Sequence, residues 1–129
     1  MERAFTDEIL AFFTREPRAL PLFEAVMAKV CAKFVGVAVR VSKTQIAFAN
    51  KYNFAFVSLP YRRAKGDPEV CIILTFGLSR RAEHPRIRVA VEPYPNRWTH
   101  HVCISDVREV DDQVMAWVGE AYSFSMSKK

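Results

Sequence analysis

The stretch NRWTHHVCIS, residues 96–105, sets a tryptophan, two adjacent histidines and a cysteine within ten residues. These types supply a general base, a nucleophile and metal ligands, and the spacing decides whether they can act together. In an extended chain, neighbours point to opposite faces, so His100 and His101 cannot aim at one ion. His101 and Cys103 share a face but stand about 6–7 Å apart, beyond the reach of an activated Cys–His pair unless the strand kinks. Cys71 from another strand would complete a Cys/His set, yet no CxxC or HxxxH pairing announces a metal site. The chain also lacks GxSxG, a glycine-rich phosphate loop and HExxH. We therefore expect no bound metal, no cofactor and no assignable catalytic residue. An enzyme or small-ligand site, if there is one, centres on His100, His101 and Lys43.

The second chemical feature is basic. Residues 40–108 hold twelve Lys and Arg against five acids, whereas residues 1–39 are balanced and residues 109–129 lean acidic. Arg62, Arg63 and Lys65 follow Tyr61 in YRRAKGD, and Arg80, Arg81, Arg86 and Arg88 lie in SRRAEHPRIR. Arginine-bearing hairpin tips can straddle phosphates, with a neighbouring aromatic stacking on a base. The same charges also serve to keep a hairpin soluble and unpaired. The paired aromatics of an RNA-recognition sheet are missing, which disfavours sequence-specific RNA reading.

The elements that must position these groups follow from periodicity. FTDEILAFFTRE predicts a first helix with Thr6 as N-cap and Asp7 and Glu8 in the first turn, ended by Pro17. PRALPLFEAVMAKVCAKFV predicts a second, with Leu22, Phe23, Val26, Met27, Val30, Cys31 and Phe34 at spacings of three and four. From Val37 the period becomes two, through VAVRVS, TQIAFA, NFAFVSLP, VCIILTFG, RIRVAVE and the histidine stretch itself. A last helix is expected from about Asp111 to Phe124, with residues 126–129 as a frayed tail.

Short links between strands, with helices gathered at the chain ends, argue for an α+β fold. Its sheet is mainly antiparallel, of five to six strands, with two N-terminal helices and one C-terminal helix packed on one face. Alternation assigns Val37, Val39, Val41, Ile46, Phe48, Val70, Ile72, Leu74, Phe76, Trp98, Val102 and Ile104 to the helix side. The opposite face receives Arg40, Gln45, Cys71, Thr75, Arg97, Thr99, His101 and Cys103, a mixed and somewhat basic set. Such a face is either solvated or a binding surface.

At 129 residues the chain fits one domain, residues 1–129. No apolar run approaches the roughly 18 residues of a membrane span, and the acidic start is unlike a signal peptide. Three cysteines without pairing signals read as reduced, buried thiols in a cytoplasmic protein.

Three blocks carry a family resemblance: FFTREPRALPLFEAV, VRVSKTQIAF and PRIRVAVEPYPNRWTHHVCISDVREVDDQVMAWVGEAY. Together they resemble DUF5655, a family of small bacterial domains of unknown function, over nearly the whole chain. The ending is also similar to the MmcQ/YjbR-like group, for which the resemblance implies an α+β fold and suggests DNA binding through two hairpin wings; fold alone does not fix function. The combined expectation is a binding module for an anionic partner, with nucleic acid leading. Its hypothetical contacts are Arg40, Lys43, Gln45, Arg62, Arg63, Arg80, Arg81, Arg97 and His101. The alternatives are a protein-interaction or oligomerisation module, and the His100/His101/Lys43 site.

Overall fold

The computed structural model describes residues 3–60 and 67–127. Two helices come first, α1 (Arg3–Phe12) and α2 (Leu20–Lys33), joined by two short 3-10 turns over Phe13–Arg15 and Pro17–Ala19. Six strands follow: β1 (Ala38–Val41), β2 (Ile46–Ala49), β3 (Asn53–Ser58), β4 (Ile72–Leu78), β5 (Ile87–Tyr94) and β6 (Arg97–Ile104). Helix α3 (Asp112–Met126) closes the described chain. The expected α+β class is the one observed.

Every pairing is antiparallel, and the sheet order is β1-β2-β3-β4-β6-β5. The β6 strand thus sits between β4 and β5, which run parallel to each other, so the connection from β4 to β5 must run back along β6 over the helix-side face. Two contacts pin that connection. The Ala82 N–H donates to His100 Nε2 at 2.9 Å, and Arg80 donates two bonds to Glu120 on α3 at 2.7 and 2.8 Å. The β5–β6 hairpin turns through Pro95-Asn96, with Asn96 in the left-handed region at φ 62°, a conformation asparagine tolerates better than most residues.

The helices cover one face. Phe23 of α2 stacks near Phe48 of β2 with centroids 6.0 Å apart, and Trp117 of α3 stacks on Phe76 of β4 at 5.7 Å. Ile46, Phe48, Ile72, Leu74, Phe76, Val102 and Ile104 are fully buried there, as alternation predicts, while Val37, Val39 and Val41 pack half-buried against the same core. At β3 the register slips, since Phe48 pairs with Ala55 but Ala49 pairs with Asn53, leaving Phe54 unpaired in a bulge. The bulge turns Phe54 onto Tyr122 and Phe34, at 5.1 and 5.6 Å.

Several local expectations are corrected. Helix α1 already includes Thr6, which is therefore no N-cap. Val70 precedes β4 and is half-buried outside any strand. Cys31 is exposed and Cys103 half-buried; only Cys71 is a buried thiol. Helix α3 begins as expected, with Asp111 as N-cap accepting from the Val114 N–H at 3.1 Å.

Candidate functional site

The alternation that buries the helix-facing residues sends the others outward in register. Across all six strands one row reads Arg40, Ala47, Phe56, Thr75, His101 and Val89. His101 and Thr75 are direct cross-strand partners, and the threonine hydroxyl shares a 2.9 Å hydrogen bond with His101 Nδ1. Burial holds the His101 imidazole below its ordinary pKa, so it is a neutral ring at pH 7. When the Thr75 hydroxyl donates to Nδ1, the proton is left on Nε2, which becomes a donor for an external acceptor.

At one end of this face lies a cleft of about 520 Å³. His101, Lys43, Thr44, Arg15 and Ser58 supply its polar groups, and Phe12, Leu59, Pro60 and Ile73 its apolar walls. The turn that carries Lys43 and Thr44 is held by local chemistry: the Ser42 N–H and hydroxyl both donate to the Gln45 carbonyl, at 2.9 and 2.8 Å, and Ser42 Oγ accepts from the Gln45 N–H at 3.2 Å. That clasp closes the β1–β2 hairpin and leaves Lys43 and Thr44 projecting at its apex. Arg15 arrives from the 3-10 turn after α1, a contribution that strand reasoning missed. No local signal marked it, because only the packing of Phe13 on Phe23, with centroids 5.4 Å apart, brings that turn to the sheet end.

The basic residues divide into two groups. Arg80 is bound to Glu120, Arg86 to Asp111 and the Glu109 carbonyl, Arg88 to Asp67, Arg108 to Asp106, and Arg18 to Glu16 and Glu69. Arg15, Arg40, Lys43, Arg81 and Arg97 have no carboxylate within ion-pair distance among the described residues. Arg81 lies over the Trp98 ring, 5.7 Å from its centroid. Of the expected contacts, Lys43 and His101 come together. Arg40 and Gln45 are exposed nearby on β1 and the turn but do not line the cleft. Arg97 sits at the other end of β6 and lines a different cavity. Arg62 and Arg63 lie outside the described residues.

The two adjacent histidines part company. His100 is fully buried on the helix side, stacked on Phe76 at 5.3 Å, with Nε2 taken by Ala82 and Nδ1 without a partner. It is thus a packing histidine, separated from His101 by the sheet itself. Cys71 and Cys103 lie near Arg88 and Asp67, and burial together with a hydrogen bond to Cys103 pushes the Cys71 thiol up to about 12. Among the described residues no group of three or more His, Cys, Asp or Glu is placed to hold a metal ion, and no helix is long and apolar enough to cross a membrane.

These features define an α+β protein with helices on one face of a six-stranded antiparallel sheet and a cation-lined cleft at the end of the other. The chain belongs to the family described as domain of unknown function (DUF5655), whose model matches residues 11–125. No curated protein and no solved structure matches it.

Proposed function

We propose that this protein is a non-enzymatic binding module for an anionic partner whose phosphates seat in the cleft of Arg15, Lys43, Thr44 and His101. One observation carries the reading: Arg15 and Lys43 both line this cleft, which no Asp or Glu lines, and neither has a carboxylate within ion-pair distance among the described residues, while Arg18, Arg80, Arg86, Arg88 and Arg108 are neutralised by ion pairs. Two cations, a Thr hydroxyl and an imidazole N–H form a donor set for phosphate oxygens. Nucleic acid is the partner class of this reading, with Arg40 on the adjoining strand extending the basic surface. A cytoplasmic setting belongs to it, supported by three free thiols.

Fluorescence anisotropy with labelled single-stranded and duplex DNA, at about 50 and about 200 mM salt, tests it. Two phosphate contacts give a log–log salt slope near −1.8, a loss of roughly tenfold in affinity over that range. Lys43→Gln should weaken binding and reduce the slope by about one. Absence of saturable binding at the lower salt, or full affinity in the Arg15→Gln/Lys43→Gln double variant, would overturn the proposal. The meeting of Lys43 and His101 in one cleft also favours a second reading, a compact phosphorylated ligand. A free nucleoside diphosphate binding as tightly as the oligonucleotides would select it.

A further inference from the structure

At the end of the sheet away from the cleft, a second cavity of about 380 Å³ opens between the start of β3, the end of β4, the β5–β6 hairpin and the C-terminal part of α3. Its size falls at the small end of ligand pockets. Seven aromatic residues line it, and two of them, half-buried Phe56 and Tyr94, 68% exposed, lie on the open face of the sheet. Its floor is Gly77, paired with Thr99 on β6. A Cβ built at Gly77 would meet nothing nearer than the Trp98 carbonyl at 4.0 Å, so the missing side chain leaves open space against the strand backbone. Flat walls over a bare strand make a slot for a planar ring.

The polar groups of the slot set the charge of its occupant. Arg97 is the charged side chain among the residues lining it, and no Asp or Glu lines it. A cation-binding aromatic cage would need the opposite, since the Arg97 guanidinium repels a cationic guest. The Thr75 and Thr99 hydroxyls stand among the lining residues as further hydrogen-bonding groups.

We propose that this cavity is a second binding site that takes a small planar aromatic carboxylate, its ring between Tyr94 and Phe56 over Gly77 and its carboxylate on Arg97. The site is distinct from the phosphate cleft, although Thr75, which lines it, is hydrogen-bonded to His101 of the cleft. Arg97 and His101 are four residues apart on one strand, about 13 Å, so one small ligand does not span both.

Titration calorimetry with 2-naphthoate, paired with amide chemical-shift mapping, tests the assignment, and the neutral 2-naphthalenemethanol serves as control. The expected result is saturable binding with the largest shifts at Gly77 and Thr99, and at least tenfold weaker binding of the neutral analogue. Gly77→Leu should fill the slot and abolish binding, and Arg97→Gln should cut naphthoate affinity about tenfold while leaving the weak affinity for the alcohol unchanged, as expected for one charge-assisted contact. If Gly77→Leu does not fold, Gly77→Ala, for which the structure has room, should still weaken binding. No saturable binding up to millimolar naphthoate, equal affinity for acid and alcohol, or unchanged binding in both Arg97→Gln and the glycine variant would overturn the proposal. DNA binding at the cleft is read separately, so either site can fail without the other.

Discussion

Replacing His100 by glutamine should separate its packing role from its protonation. The imidazole is fully buried, its Nε2 accepts from the Ala82 N–H at 2.9 Å, and its ring stacks on Phe76. A glutamine oxygen can take the place of Nε2, sparing the roughly 1–3 kcal/mol that an orphaned buried N–H costs. The lost ring stacking is worth about 0.5–1.5 kcal/mol, so at pH 7.5 the variant should be less stable by about 1 kcal/mol. Acid reverses the comparison. Burial lowers the His100 pKa in the folded protein, whereas the unfolded imidazole titrates near 6.5. The unfolded chain therefore binds the proton first. The stabilising contribution is complete above pH 6.5 and is lost as pH falls through the window beneath it, at up to about 1.4 kcal/mol per pH unit. By pH 5 His100 alone costs up to about 2 kcal/mol, and His100→Gln escapes that cost. His101, also lowered by burial, titrates in both proteins and cancels. Urea unfolding at pH 7.5 and 5.0 measures the difference: wild type should lose more stability than the variant, closing or inverting the gap. Parallel losses in the two proteins would refute the assignment of a buried, neutral His100.

Further outcomes follow from the same contacts. Asp111→Ala removes the N-cap bond to Val114 and two bonds from Arg86, each 3.0 Å, at a half-exposed site. Discounted for solvent, the loss should be about 2 kcal/mol by urea unfolding, and a change under about 0.5 kcal/mol would show the cap to be idle. Thiol labelling at pH 8 followed by peptide mapping should modify the exposed Cys31 first and the buried Cys71 last, since the latter remains a thiol at that pH. Equal rates for the two in native protein would contradict the burial. At the cleft, Lys43→Gln should weaken DNA binding and flatten its salt dependence with no change in stability, because Lys43 is exposed at a turn apex closed by Ser42 and Gln45; an unfolded variant would contradict that placement.

The periodicity of the sequence was enough to read the α+β class and the two faces of β4 and β6, but not Cys71, which is buried ahead of β4, nor β5, where a register shift turns Val89 outward. Period-two alternation puts His100 with Phe76 and Trp98 on the packed side and His101 with Thr75 on the open one, because a strand admits only two side-chain directions. Proline and acid signals located α2 and α3. Thr6 failed as a cap because the preceding residues continue the helix, and a threonine within a helix looks locally the same.

What the chain could not reveal alone is adjacency between distant segments. Nothing local to RIRVAVE or RWTHHVCIS says that β6 inserts between β4 and β5, yet that order gives His101 its Thr75 partner and His100 its Ala82 donor. Nor does local pattern foretell which arginines find a carboxylate. Arg80 meets Glu120 forty residues away and Arg86 meets Asp111, while Arg15 and Lys43 share a cleft without an acid. Local spacing determines which way a side chain points, because backbone sterics are local. Which charges remain available for a partner is a property of packing, and only the tertiary structure decided it.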